Sequence, residues 1–320
     1  MSTSEVSNIM NINGTDIHQG KHATVKIKVG SLPSGTNINL FAHVYRSKNP
    51  GPTMLVLGGV HGDEVNGVEI VRRAVKVGYF DHLKHGNVIA VPLLNIYGFI
   101  NFSRDLPDGK DVNRSFPGSS RGSLASKVAY TLSKHILPLV DFGLDFHTGG
   151  KSIHNYPQVR VSKDDRDAHK LAELFGAPFI VKSNLINKSL RKECHKRGIP
   201  MLVYEGGESL RLDSFAIQEG LNGIQRVMSS MGMTEKEPLA PKDPIVLEKN
   251  KWVRAGQAGI LISYKKAGDY VNKGDLLGYL TDPYGVRELK VKSPYSGYIY
   301  GHNNMPVVHK GDAIYHIGFE

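Results

Sequence analysis

The sequence predicts an α/β fold: a mixed, mostly parallel sheet with helices on both faces, followed by a small C-terminal all-β, barrel-like domain. Three observations carry this. Apolar runs of strand length alternate with helical segments from residue 52 to 231, the order that βαβ crossovers produce. The first of these runs, Pro52 to Val60, is apolar almost throughout, as a strand covered on both faces must be. Beyond a proline-broken stretch, Thr234 to Pro244, the helical pattern stops and short alternating strands between glycine turns take over.

Taken in order, residues 1 to about 20 are polar and weakly patterned and read as a loose lead-in. Ala23 to Val29 and Ile38 to Tyr45 alternate apolar with polar residues across the turn Ser31-Leu-Pro-Ser-Gly35, so they should pair as an antiparallel edge. The strand ending at Val60 leads into a helix from Glu64 to Val77. Asn87 to Leu94 is the next apolar strand, Ser123 to Leu139 a helix, and Val140 to Phe146 a strand. Helices over Asp165 to Phe175 and Ser189 to Arg197 alternate with strands at Ala177 to Val181 and Met201 to Tyr204, and a long helix over Ser214 to Met231 closes the series. The expected domains are residues 1–235 and 245–320, with Pro238, Pro241 and Pro244 marking the linker.

Bulk properties remove several functional classes. A chain of 320 residues, 40% apolar, can bury a substantial core. It contains no run of about 18 apolar residues, so no membrane span is expected. The amino terminus, Met1-Ser-Thr-Ser-Glu-Val-Ser-Asn, lacks a basic region before an apolar core, which points away from secretion and toward the cytoplasm. A single cysteine, Cys194, cannot form an internal disulfide and reads as a half-buried thiol. The net charge of +10 is spread through the chain without a nucleic-acid motif, so nucleic acid is not an expected partner. Attraction of an anionic substrate is the sharper alternative to a merely basic surface.

The chemistry should lie beyond the carboxyl ends of the parallel strands, where open α/β sheets bind ligands. After the strand in Leu55-Val-Leu-Gly-Gly-Val-His-Gly-Asp-Glu64 come His61 and Glu64, three apart, so both can face one point at a helix start. Gly58, Gly59 and Gly62 suit the sharp turn between. An isolated His-x-x-Glu pair is more often capping and solvated charge than a metal site. Here, however, His147 follows another strand and Glu205 a third. His61, Glu64 and His147 give two imidazoles and one carboxylate, a zinc set that leaves a fourth position open for water, and Glu205 remains as a general base. The loop from Ser103 to Gly118 must cross the same edge. In it Arg114 offers a planar fork for a carboxylate, Asn113 a neutral donor and acceptor, and Arg104 a cation for a developing oxyanion.

Together, Gly59-Val-His61-Gly-Asp-Glu64, Asp111-Val-Asn113-Arg114-Ser-Phe-Pro-Gly118, Asp145-Phe-His147-Thr-Gly149 and Tyr204-Glu205-Gly-Gly207 resemble the succinylglutamate desuccinylase and aspartoacylase family, itself similar to zinc carboxypeptidases. The resemblance runs from about residue 50 to 230. It implies one Zn²⁺ per chain on His61, Glu64 and His147, Glu205 as the base that activates water, and Asn113 with Arg114 on a substrate carboxylate. Arg104 is its match to the family's oxyanion arginine, at a longer spacing from Arg114. The implied activity is hydrolysis of the amide of a small N-acyl amino acid, with esters accessible to the same oxyanion site. A zinc carboxypeptidase acting on short peptides and a non-catalytic metal-binding protein are the competing readings. Self-association into a homo-oligomer is compatible with all three. Val271 to Leu280, Ser293 to Ile299 and Val308 to Ile314 look like a biotinyl/lipoyl hammerhead barrel, yet the hairpin tip, Thr281-Asp-Pro-Tyr-Gly285, has no attachment lysine. The barrel is therefore expected to pack beside the active site and limit substrate size rather than to carry a group.

Overall fold

The computed structural model describes residues 9–236 and 243–319. Its elements in chain order are β1 (Ile9–Ile12), β2 (Thr15–His18), β3 (His22–Ser31), β4 (Asn37–Arg46), β5 (Thr53–Gly58), α1 (Val65–Lys76), β6 (Asn87–Val91), α2 (Ile96–Ile100), α3 (Leu124–His135), β7 (Phe142–Gly149), β8 (Ile153–Val161), α4 (Arg166–Phe175), β9 (Phe179–Lys182), α5 (Leu190–Lys196), β10 (Met201–Glu208) and α6 (Ser214–Ser230). The C-terminal part adds β11 (Ile245–Leu247), β12 (Lys249–Arg254), β13 (Gly259–Ser263), β14 (Tyr270–Val271), β15 (Leu276–Thr281), β16 (Glu288–Lys292), β17 (Gly297–Asn303), β18 (Val307–Val308) and β19 (Ala313–Phe319), and no helix among its described residues.

β5 is an interior strand of the sheet, with all six of its residues buried and both its faces apolar. It runs parallel to β6 on one side and to β7 on the other, and β7 runs parallel to β10. Alternation along β5 divides the core in two. Leu55 and Leu57 pack with Val128, Ala129 and Leu132 of α3, while Met54 and Val56 pack with Ile70, Val71 and Ala74 of α1 and with residues of α4 and α6. Helices thus cover both faces, as the continuous apolar run requires. β4 adds antiparallel to β6, and β3 to β4, the expected edge.

Three local departures from the sequence reading have physical causes. The lead-in is not loose throughout: β1 and β2 form a hairpin that buries Ile12 and Ile17, although residues 1–8 lie outside the described residues. The helix expected from Ser123 to Leu139 ends at His135, and Leu137–Leu139 is a separate 3-10 turn, because Pro138 has no N–H to continue the ladder. Strand β8 was absent from the sequence reading; Pro157 and its polar residues mask the alternation. Residues 237–242, inside the expected linker, lie outside the described residues.

β8 joins the two parts of the molecule. It pairs antiparallel with β10 on one side and with β17 of the C-terminal part on the other, so the barrel joins the main sheet through a hydrogen-bonded ladder. The barrel encloses its own core, with Val271, Leu277, Leu280, Ile299, Ile314 and Ile317 fully buried. The turn between β15 and β16 is the expected hairpin tip, with Tyr284 fully out in solvent.

Candidate metal centre and substrate pocket

His61 leaves β5 through a turn that only glycine permits. Gly59 adopts φ +62°, and a Cβ on Gly62 would lie 2.0 Å from the carbonyl carbon of Gly98 in α2, so the two backbones touch. The chain then re-enters helix at Val65, with Glu64 as the N-cap residue rather than in the first turn. His147 lies inside β7 and Glu205 inside β10, since both strands continue beyond the apolar runs that predict them. Their register makes them cross-strand neighbours, which puts the Glu205 side chain on the same face as His147.

The three expected ligands converge. Nδ1 of His61 is 2.7 Å from Oε1 of Glu64, Nδ1 of His147 is 2.7 Å from Oε2, and the two nitrogens are 3.2 Å apart. All three residues are buried, at 2–3% exposure, so water does not screen them. The backbone N–H of Thr148 donates to Glu64 Oε2 at 3.1 Å and fixes that carboxylate.

Each imidazole turns its remote nitrogen to another carboxylate. His147 Nε2 is 2.9 Å from Asp145 Oδ2, two residues earlier on the same face of β7. His61 Nε2 is 3.3 Å from Asp111 Oδ1, off line for a strong hydrogen bond. A carboxylate behind a histidine holds the proton on the far nitrogen and leaves the near one as a lone-pair donor. Two such lone pairs and a carboxylate aimed at one buried point repel each other unless positive charge lies between them. The attraction between these carboxylates and imidazoles also shifts their pKa values. Burial opposes a charged His147, but Asp145 and Glu64 outweigh it and raise its pKa well above the ordinary histidine value. Burial likewise opposes a charged Glu64, but His61 and His147 overcome it and hold the carboxyl well below the usual range. Ligands of one tetrahedral zinc ion lie about 3.3 Å apart at ordinary Zn–N lengths, close to the separation of these two nitrogens. The donor set fits a divalent ion.

Arg104 belongs to this cluster. Its Nη1 is 3.2 Å from both His61 Nδ1 and Glu64 Oε1, while Nη2 and Nε donate to Asp111 Oδ2 at 3.0 and 3.3 Å. Asn113 and Arg114 form a 3-10 turn capped by Asp111 at the rim of the same pocket. Asn113 Oδ1 accepts from the Leu190 backbone N–H at the start of α5, which leaves its NH₂ group for a ligand. Glu205 Oε2 accepts from Asn155 Nδ2 at 2.8 Å. All seven predicted site residues therefore line one cavity of about 360 Å³. A larger open groove of about 880 Å³, near Lys21, Lys48 and Lys84, holds none of them.

Sequence reasoning missed Asp145 and Asp111 as supports, although both stand inside the quoted motifs. It also missed Asn155 and Arg160, which lie on the unrecognised strand β8, and Arg191 of α5. From the barrel, Trp252 and His316 enter the pocket wall. They face each other across β12 and β19, with rings 3.9 Å apart and nearly parallel. Cys194 is remote in role: it is fully buried, and burial pushes its thiol up, away from reactivity.

Comparison with known proteins agrees with this architecture. Residues 50–231 match the family model described as the succinylglutamate desuccinylase/aspartoacylase catalytic domain. The chain is 26% identical over 310 residues to an N-alpha-acetyl-L-2,4-diaminobutyric acid deacetylase of Halomonas elongata, covering 92% of this chain and 90% of that one. The crystal structure of a succinylglutamate desuccinylase/aspartoacylase from Rhodobacter sphaeroides superposes with a TM-score of 0.84 at 25% identity, covering 98% of this chain and all of that one. The product-bound ectoine utilization protein EutE (DoeB) from Ruegeria pomeroyi shares the fold, with a TM-score of 0.82 at 23% identity over 94% and 95% of the two chains. With the matched region spanning more than half its length and carrying every predicted ligand, the chain belongs to the succinylglutamate desuccinylase/aspartoacylase family.

Proposed function

We propose that this protein is a zinc-dependent deacylase of the cytoplasm that hydrolyses the amide bond of small N-acyl amino acids. The observation that carries the reading is the convergence of His61, Glu64 and His147 on one buried point, with Glu205 beside it in register across two strands. A zinc ion held by these three residues would supply an acidified water and polarise the acyl carbonyl.

The rest is the work of the protein's own groups. Glu205, held by Asn155, takes a proton from the attacking water and delivers it to the leaving nitrogen, because a base in the first step must act as an acid in the second. Arg104, pinned by Asp111 beside the His61–Glu64 pair, presents its guanidinium to the oxyanion that forms as the carbonyl becomes tetrahedral. Such a donor typically contributes roughly 3 to 4 kcal/mol to a transition state. Arg114 and the free NH₂ of Asn113 hold the carboxylate of the amino acid at the pocket rim.

Glu205→Gln tests this directly. The variant should keep stoichiometric zinc, by metal analysis, and lose nearly all turnover on a panel of N-acyl amino acids. Unchanged turnover removes Glu205 from the mechanism. Hydrolysis of short peptides in preference to N-acyl amino acids would assign the carboxypeptidase reading instead, and zinc binding without any hydrolysis the silent one.

A further inference from the structure

Between the base on β10 and the ligands that follow β5 stands a side chain that the mechanism above does not use. Asn66, in the first turn of α1 and two residues after Glu64, is fully buried. Its Nδ2 donates to the Gly206 carbonyl at 3.2 Å, and its Oδ1 accepts from the Asp213 backbone N–H at 2.9 Å. A buried amide with both ends spent on distant backbone ties segments together.

The tie falls on an irregular stretch. Between Glu205 and Glu208 β10 carries one residue more than β7, which covers the same interval from His147 to Gly149, and Gly206 pairs with neither β7 nor β8 among the described residues. Such a bulge bends a strand and re-aims the side chains beside it, so the aim of Glu205 depends on what holds the bulge. The bulge is shaped around Asn66: Gly207 adopts φ +77°, and a Cβ on it would lie 2.3 Å from Asn66 Nδ2. Further along, the Leu210 N–H donates to the Asp63 carbonyl at 2.7 Å, with Leu210 itself at φ +59°, where a leucine is strained. The segment that carries His61 and Glu64 thus grips the end of β10 at both Gly206 and Leu210. On the far side, Asp213 Oδ2 lies 3.0 Å from Nε2 of His154, whose chain neighbour Asn155 holds Glu205. These ties close a ring around the base.

We propose that Asn66 is a positioning residue for the hydrolysis: by fixing the bulge after Glu205 to the start of α1, it sets the distance between the base and the metal ligands. The proposal rests on the deacylase reading and adds the part that joins base to metal centre. A base displaced by a fraction of an ångström loses its alignment with the attacking water, while substrate and metal still bind.

Two variants remove the tie in different ways. Asn66→Leu keeps the branched shape without either hydrogen bond, and Asn66→Ala removes the bonds without any risk of overpacking. Per zinc-loaded chain, counted by metal analysis, both should lose about 10- to 100-fold in kcat on N-acyl amino acids, while KM and zinc affinity stay within about threefold. A residue that only supported the fold would lower the melting temperature and leave kcat per zinc-loaded chain at the wild-type value, and that result overturns the proposal. So does a loss that falls on KM or on zinc. Hydrogen exchange reads the tie without any turnover. In the zinc-loaded variants, peptides covering residues 203–209 should exchange about tenfold faster than in the wild type, with β5 and β7 unchanged. Unchanged exchange over 203–209 overturns the tie. If the wild type hydrolyses no N-acyl amino acid, the deacylase reading fails separately, and the exchange still decides whether Asn66 holds the bulge.

Discussion

Asn155 donates its side-chain N–H to Glu205 Oε2 at 2.8 Å, and on its other side it faces the backbone of the barrel. Asn155 stands opposite both Gly207 of β10 and Gly301 of β17, and a Cβ on Gly301 would lie 2.9 Å from Asn155 Oδ1. The base is thus oriented by a side chain for which the barrel strand leaves room. Asn155→Ala and Gly301→Ala should both keep zinc and lower kcat, by up to about 100-fold, since a reacting group displaced by a fraction of an ångström forfeits its alignment. Metal analysis alongside steady-state kinetics checks this. Wild-type kcat in Gly301→Ala would show that the barrel does not act on Glu205 through Asn155.

The carboxylates behind the histidines should matter to the metal without touching it. Asp145→Asn keeps the shape of the side chain that faces His147 Nε2 but removes the charge that holds its proton in place. Zinc affinity should fall roughly 10- to 100-fold, measured by competition with a chelator. His147→Ala should abolish stoichiometric zinc. Chelation of the wild type should lower its melting temperature, because an ion that binds only the folded chain stabilises it.

What the sequence made legible was whatever a local pattern encodes. The buried run of β5 and the amphipathic α1 and α4 could be read because burial on a fixed face imposes a fixed period. His61, Glu64, His147 and Glu205 could be read because each stands at the end of such a run. β8 could not: Pro157 interrupts its alternation, and although β9 pairs with it in parallel just beyond α4, the antiparallel partners β10 and β17 that place it at the pocket lie about 50 and 145 residues away. Asn155 and Arg160 were lost with that strand. Trp252 and His316 reach the pocket only because β17 docks on β8, a register that no single segment specifies.

The turn that delivers His61 should tolerate no side chain. Gly62 lies where a Cβ would penetrate the backbone at Gly98 and Phe99, and neither atom belongs to a flexible side chain that could yield. Gly62→Ala must push α2 away from the turn, an overpacking that typically costs about 1 to 3 kcal/mol. Chemical denaturation should show the loss, and zinc affinity should fall with it because His61 sits on the displaced turn. A wild-type unfolding midpoint with full zinc affinity would mean that the two backbones separate without strain.

His316 provides a pH signature that does not depend on the metal ligands. Burial first, and then the charge of Arg160, pulls its pKa from 6.5 down to about 3, so the imidazole stays neutral against Trp252, with Nε2 2.7 Å from the Tyr300 hydroxyl and 3.0 Å from Asn250 Oδ1. In the unfolded chain the same ring takes up a proton near its ordinary value. Between these two pKa values the unfolded state binds more protons than the folded one, so the His316 contribution to stability is complete above pH 6.5 and declines as pH falls toward 3. Carboxylates elsewhere lose stability over the same range, which a variant must control for. Urea unfolding of the metal-free wild type and of His316→Gln at a series of pH values should give curves that converge in acid, the wild type losing more on the way down. Parallel curves would mean that His316 is as free to protonate in the fold as out of it.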